Sequence, residues 1–88
     1  MTRGEIKESV IDLIAELFTE QHFDRDILEH IDLIDDAGMD SITFITLIIH
    51  IEEKFNITIL DELLLMDNFK SADDIVEIIE NETIEDNI

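Results

Sequence analysis

The stretch of sequence that decides the fold is residues 35–55, DDAGMDSITFITLIIHIEEKF. It starts as an acidic loop with one of the two glycines of the chain and then continues without glycine or proline. Asp40 is a favourable N-cap residue, because its carboxylate can accept hydrogen bonds from the first free N–H groups of a helix. Asn56, which follows the stretch, is suited to end a helix. The pattern therefore predicts a helix from Ser41 to Phe55.

The apolar residues of this predicted helix occupy two separate faces. At about 100° per residue, five of them share one arc that is wide enough for a core face. These are Phe44, Leu47, Ile48, Ile51 and Phe55. Ile42, Ile45 and Ile49 form a second stripe outside that arc, and Ser41 lies between the stripe and the core face. The stripe is either a second buried side of a central helix or an exposed strip that a transient protein partner would contact.

The residues on either side predict two further long helices. Thr2 and Glu5 have the spacing of a capping box, and the apolar residues that follow recur at helical spacing to about Thr19. Ser71 is expected to open the last helix. The acidic tail, residues 81–88, is expected to be disordered.

Two connections complete the predicted fold. Residues 20–39 form a long polar loop with a short helical turn near residues 25–30, and six of its apolar side chains are expected to contact the core: Phe23, Ile27, Leu28, Ile31, Leu33 and Ile34. Residues 57–59 are β-branched but would have no partner strand, and a short helix is expected over residues 61–67. Residues 1–88 are therefore predicted to be one all-α domain, a small four-helix bundle with three main helices, one short helix and a long first loop.

Composition restricts the classes of partner. The chain has 24 acidic and 5 basic residues, a net charge of −19, and no cysteine. Such a field repels nucleic acid and anionic membranes, and it favours partners with basic patches. No apolar run approaches the length of a membrane span, and the N-terminus does not have the pattern of a signal peptide. We expect a cytoplasmic monomer that binds neither nucleic acid nor membranes.

Ser41 is the residue in which chemistry is expected. Unpaired N–H groups and partial positive charge at a helix N-terminus favour a phosphate, so Ser41 is a good acceptor for a phosphodiester. Asp40 could cap the helix and help to orient a Mg²⁺ ion that arrives with the phosphate donor. The Asp-Ser pair alone is weak evidence, since most such pairs are ordinary helix caps.

Catalysis and metal binding by the chain itself are not expected. A nucleophilic serine needs a base, but His50 is about two and a half turns away along the same helix, and His22 and His30 have no identifiable orienting partner. A site formed by the three histidines stays open, although solvated histidines are the more common case. The acidic loop before Ser41 does not fit a calcium-binding EF-hand, because Leu33, Ala37 and Phe44 would fall at ligand positions.

Four sequence motifs occur together between Gly38 and Ser71, within the region from Leu33 to Ile79. Gly38, Asp40, Ser41 and Ile42 match a D-S-L/I/M triplet preceded by a glycine. Residues 51–55 match L-E-E-x-F, residues 56–62 match x-I-x-I-x-D-E, and Ser71 begins the final helix. In this combination the sequence resembles an acyl carrier protein, and the resemblance covers nearly the whole chain.

The resemblance implies a carrier that is not itself an enzyme. Ser41 would receive 4′-phosphopantetheine from coenzyme A through a Mg²⁺-dependent phosphopantetheinyl transferase. The thiol of that arm would hold acyl or aminoacyl groups as thioesters for acyl-loading and acyl-processing enzymes. The resemblance also implies that partners contact the second long helix, which gives Ile42, Ile45 and Ile49 a role in partner binding.

Three positions differ from the usual pattern of carriers in fatty acid synthesis. Thr43 and Thr46 stand where those carriers usually have acidic residues, and Leu60 stands where proline is common. These differences favour a dedicated carrier for polyketide, peptide-synthetase or other secondary-metabolite assembly. A helical protein-interaction module that is not modified at Ser41 is the alternative.

Overall fold

The computed structural model describes the backbone of residues 2–18 and 23–86, with side chains through residue 82. The described residues form four α-helices: α1 (Arg3–Leu17), α2 (Arg25–Leu28), α3 (Ser41–Phe55) and α4 (Ala72–Asp86). Two 3₁₀ turns, Asp61–Leu63 and Met66–Phe69, connect α3 to α4. The described residues contain no strand, so the all-α prediction, with three main helices and one short helix, is confirmed.

Helix α1 begins as the sequence predicts. The Glu5 N–H donates to the Thr2 hydroxyl, and the Thr2 N–H donates to the Glu5 carboxylate, at 3.2 and 2.9 Å. The Thr2 N–H also holds the pKa of the Glu5 carboxyl below its ordinary value. The helix ends at Leu17, and the expected last residue, Thr19, lies outside the described residues.

Helix α1 is the centre of the bundle. It packs against α4, α3 and α2. Its apolar face includes Val10 and Ile14, both fully buried, and the same core includes Leu47 of α3 and Ile75 and Ile79 of α4. The apolar positions at helical spacing in the three long helices therefore form one core, as their periodicity predicts.

Ion pairs join α1 to its neighbours. Arg3 pairs with Glu80 and Lys7 with Asp73, and both pairs link α1 to α4. Arg25 of α2 donates to both Glu8 and Asp12 of α1, each at 2.7 Å, and the bond to Asp12 raises the pKa of the Arg25 guanidinium. Three of the five basic side chains therefore form ion pairs between helices at the surface of the bundle.

The long first loop is attached to the core by most of the expected side chains. Leu28, Ile31 and Leu33 are buried, and Phe23 and Ile34 pack partly against the core. Ile27 does not follow the prediction, because 46% of its surface is exposed. Helix α2 is a single turn, so only one of its sides packs against α1. Leu28 is on that side, and Ile27, the preceding residue, is not.

The segment after α3 is not the single short helix that the sequence suggested. Asn56 ends α3 with a left-handed backbone (φ 54°), and Ile57 and Ile59 are buried without forming a strand. The predicted helix over residues 61–67 is replaced by two 3₁₀ turns. The Asn68 side chain donates to the Leu63 carbonyl at 3.1 Å. This bond replaces the backbone N–H that the carbonyl would bind in a continuous helix.

Helix α4 extends further than expected. The Ser71 hydroxyl accepts a hydrogen bond from the Asp74 N–H at 3.2 Å, as expected for the residue that opens this helix. The helical backbone continues to Asp86, into the segment for which disorder was predicted, while residues 87–88 lie outside the description. The single domain and the disordered tail stay predictions. No helix among the described residues combines the length and the apolar composition needed to cross a membrane.

Candidate functional site at the N-terminus of α3

Ser41 is the first residue of α3, and its side chain is exposed. Asp40 provides the cap: its Oδ1 accepts a hydrogen bond from the Thr43 N–H at 2.8 Å. The same N–H holds the pKa of the Asp40 carboxyl below its ordinary value. Because Asp40 caps the helix, the Ser41 hydroxyl is not needed as a cap and faces solvent at the positive end of α3.

The loop that leads into α3 is closed by backbone hydrogen bonds. The Met39 N–H donates to the Leu33 carbonyl at 2.8 Å, and the Leu33 N–H donates to the Lys70 carbonyl just before α4. Leu33 and Met39 are both buried, and Gly38 between them has a left-handed backbone (φ 72°) that favours glycine. The backbone that precedes Ser41 is therefore fixed to the core at Met39, while Asp40 and Ser41 themselves are exposed.

The acidic side chains of this loop bind backbone groups. Asp32 Oδ1 accepts hydrogen bonds from the N–H groups of Ile34 and Asp35, at 2.9 and 2.7 Å. Asp36 Oδ2 accepts from the Asp32 N–H at 3.2 Å. From the sequence, this acidic cluster was compared only with a calcium-binding loop, and its hydrogen bonds to the local backbone were not predicted. Aspartate commonly accepts hydrogen bonds from N–H groups two or three residues later in a turn, and this preference could have predicted them.

Metal binding gains no support from the described side chains. Residues 2–18 and 23–82 contain no group of three histidine, cysteine, aspartate or glutamate residues that could hold a metal ion. His30 and His50 are exposed, and His22 lies outside the described residues. His50 is nine residues from Ser41, about 13 Å along the helix axis, which is too far for proton transfer to the hydroxyl.

The second apolar stripe of α3 is exposed. Ile42 is 75% exposed, Ile45 is 58% exposed and Ile49 is 48% exposed. The predicted core face is buried at Phe44, Leu47, Ile48 and Ile51 and half-buried at Phe55. Of the two interpretations that periodicity left open, the exposed strip is therefore the one that the structure supports.

Charge around Ser41 is negative. Asp35, Asp36 and Asp40 are exposed within six residues before it. The ion-paired cations Arg3 and Arg25 are on α1 and α2, where they bind carboxylates of the bundle. Residues 35–41 carry three carboxylates and no cation, and this charge attracts a basic partner surface to the end of α3 that carries the serine.

A family comparison agrees with this geometry. The family model described as phosphopantetheine attachment site matches residues 8–85, from inside α1 to the last turn of α4. The chain belongs to this family. Among curated proteins, none matches the chain at a significant level.

Family membership confirms the resemblance and the cofactor. The domain is the attachment site of a covalent 4′-phosphopantetheine group, and the chain is a phosphopantetheine carrier. Carrier domains of this kind work with a phosphopantetheinyl transferase and with acyl-processing enzymes, and they are generally not catalytic themselves. The matched residues include parts of all four helices, so the family match extends over the whole bundle.

The leucine-rich segment of the carrier lies beside a groove. Leu63 and Ile78 line a space of about 280 Å³ between the two 3₁₀ turns and α4, together with polar groups that include Asp67, Asp74 and Glu77. Leu64 and Met66 pack partly against the core, whereas Leu65 is exposed. Within residues 63–66, Leu63 therefore lines the groove, and Leu63, Leu64 and Met66 contact the edge of the core.

Proposed function

We propose that Ser41 is the residue that carries the phosphopantetheine arm. The observation that carries this proposal is the exposed hydroxyl at the first position of a fifteen-residue helix, inside the matched family region. The N–H groups and the dipole at this end of α3 favour the phosphate that would be attached. The anchored loop and the Asp40 cap hold the hydroxyl where an enzyme can reach it.

The attachment reaction requires little from the chain. The Ser41 oxygen would bond to the phosphorus next to the pantetheine of coenzyme A, with adenosine 3′,5′-bisphosphate leaving and the hydroxyl proton passing to the transferase. Asp40 keeps its charge because of its low pKa, and it could help to orient Mg²⁺ with the oxygen that the cap does not use. The arm supplies a thiol that holds an acyl or aminoacyl group as a thioester.

The carrier would perform no reaction of its own and would serve polyketide, peptide-synthetase or fatty acid assembly. Thr43, Thr46 and Leu60 favour the first two over housekeeping fatty acid synthesis. The acidic surroundings of Ser41 support partner enzymes with basic patches, and the exposed Ile42, Ile45 and Ile49 support partner contacts along α3. We also propose that the carrier acts as a cytoplasmic monomer.

The test uses the folded chain, coenzyme A, Mg²⁺ and a broad-specificity phosphopantetheinyl transferase. We expect intact-protein mass spectrometry to show one added phosphopantetheine on the wild type and none on Ser41→Ala. Ser71→Ala is the matched control, because Ser71 also stands at a helix N-terminus but accepts the Asp74 N–H, and it should be modified fully. A folded wild type without any mass gain would contradict the proposal and leave the unmodified interaction module.

A further inference from the structure

A second apolar surface of the carrier lies at α2 and shares no residue with the stripe of α3. It is a groove of about 460 Å³ between α2 with its flanking residues and the acidic loop that leads to α3, and we call it the α2 groove. The described side chains that line it are Phe23, Asp26, Ile27, His30, Ile31 and Asp36. Phe23, Ile27 and Ile31 recur every four residues, so they lie along one side of this helical turn. The exposed Ile27, which the core does not use, is therefore part of a continuous apolar lining.

The α2 groove is already formed in the free chain. Ile31 is buried and Phe23 packs partly against the core, whereas Ile27 is 46% exposed and stands at the rim. The Ile31 N–H donates to the Ile27 carbonyl at 2.9 Å, which fixes the helical turn. In the acidic loop, Asp36 Oδ2 accepts the Asp32 N–H at 3.2 Å. Local hydrogen bonds therefore hold both sides of the groove, and a side chain can enter it without a rearrangement of the backbone.

The charge around the α2 groove is negative. Residues 23–40 contain seven carboxylates but a single lysine or arginine, Arg25. The Arg25 guanidinium binds Glu8 and Asp12 of α1, so this cation is used where α2 faces α1. The Asp26 side chain, which lines the groove, forms no hydrogen bond or ion pair with any residue that the structure describes. The apolar lining is therefore bordered by carboxylates that are available to a cation from outside.

We propose that the α2 groove receives a large apolar side chain from a basic segment of a partner protein. The apolar lining covers that side chain, while Asp26 and Asp36 attract lysine or arginine residues on either side of it in the partner sequence. The net charge of −19 repels a second copy of this chain, nucleic acid and anionic lipid, and so favours a basic protein as the occupant. The inference does not rest on the proposed attachment at Ser41. It gives the carrier a second contact surface besides the stripe of α3.

The first test uses two capped hexapeptides that differ only at their centre. One has leucine and phenylalanine between two pairs of arginines, and the other has two serines between the same arginines. Titration of the apolar peptide into the unmodified, isotopically labelled chain should shift the amide NMR signals of residues 23–36 until they saturate. The serine peptide has the same charge and should bind on the order of tenfold more weakly, because it buries no apolar side chain. Equal affinities, or shifts centred on residues 42–51, would overturn the inference.

The second test compares two isoleucines of nearly equal exposure. Ile27 in the α2 groove is 46% exposed, and Ile49 on the stripe is 48% exposed, so neither substitution by alanine should unfold the chain. Ile27→Ala should raise the Kd of the apolar peptide on the order of tenfold, because part of the lining is lost. Ile49→Ala should leave this Kd at the wild-type value. An unchanged Kd for Ile27→Ala, or the same increase for both variants, would count against the groove.

Charge variants test the part played by the carboxylates. Asp26→Asn should raise the Kd of the apolar peptide severalfold at low salt and reduce its dependence on salt. Glu53→Gln is the matched control, because Glu53 is also exposed but follows the stripe of α3, and it should bind the peptide as the wild type does. Equal effects of the two variants would mean that the peptide responds to the total charge of the chain, and the inference would fail.

The result is separate from the result of the attachment reaction. Ser41→Ala should bind the apolar peptide with the wild-type Kd, because the α2 groove does not include Ser41. A chain that is modified at Ser41 but does not bind the apolar peptide at residues 23–36 overturns this inference alone. A chain that binds the peptide there but is never modified overturns the proposed function alone.

Discussion

At the scale of single residues, Asp40 and Ser41 have separate roles at the N-terminus of α3. Asp40 caps α3 through the Thr43 N–H, which leaves the adjacent hydroxyl exposed for modification. The sequence suggested this arrangement, because aspartate is among the preferred N-cap residues and Ser41 follows it directly. The cap is local in sequence, and local patterns are the ones that a single sequence predicts well.

The charge of Asp40 gives a prediction about pH. Its folded pKa is below its ordinary value of 3.8, so its stabilising effect is complete above that value and is lost as pH falls through the lower folded pKa. Asp40→Asn keeps a capping oxygen but removes the charge near the helix N-terminus. We expect thermal unfolding to show a lower midpoint for this variant at pH 6, and a smaller difference from the wild type at pH 3. A difference that grows toward pH 3 would contradict this assignment.

At the scale of elements, α3 has two apolar faces with different roles. Ile48 belongs to the buried face, and Ile45 belongs to the exposed stripe. The aromatic rings of Phe44 and Phe69, whose centroids are 5.2 Å apart, connect the buried face to the second 3₁₀ turn. The helix is therefore fixed in the bundle by one face while the other remains available beside Ser41.

This division predicts unequal costs for the same substitution. Ile48→Ala should lower the free energy of unfolding by about 2–4 kcal/mol, because it leaves a cavity in the core. Ile45→Ala should change it by less than about 0.5 kcal/mol, as for other exposed positions. Chemical denaturation followed by circular dichroism measures both values. Ile45→Asp should likewise keep its helicity while docking to the transferase weakens, and a large loss of helicity would place Ile45 in the core.

The elements that sequence reasoning missed depend on hydrogen bonds outside the regular helical pattern. The helix expected over residues 61–67 is interrupted where Asn68 donates to the Leu63 carbonyl. The loop before α3 is fixed by the bond from the Leu33 N–H to the Lys70 carbonyl, 37 residues apart in the chain. The capping residues gave the bounds of α3 and periodicity gave its two faces, but neither contains information about which backbone groups meet across the bundle.

At the scale of the whole molecule, the charge distribution is uneven. The net charge is −19, and Arg3, Lys7 and Arg25 each pair with a carboxylate of the bundle. The remaining acidic side chains repel one another and also produce the field that basic partners would follow. The same excess charge that assists encounter therefore opposes the compact state.

Salt should stabilise the carrier for this reason. Raising NaCl from 20 to 500 mM shortens the Debye length from about 20 Å to about 4 Å, so repulsion between exposed carboxylates weakens more than the close ion pairs do. We expect the midpoint of thermal unfolding to rise over this range. A falling midpoint would mean that the exposed pairs of Arg3, Lys7 and Arg25 outweigh the repulsion.

Locating the modification on the chain tests the central claim most directly. After incubation with coenzyme A, Mg²⁺ and the transferase, trypsin should release residues 26–54, a peptide between Arg25 and Lys54 in which Ser41 is the sole serine. Fragmentation of that peptide by mass spectrometry should place one phosphopantetheine on Ser41. A phosphopantetheine on another residue, or none on a folded chain, would contradict the account.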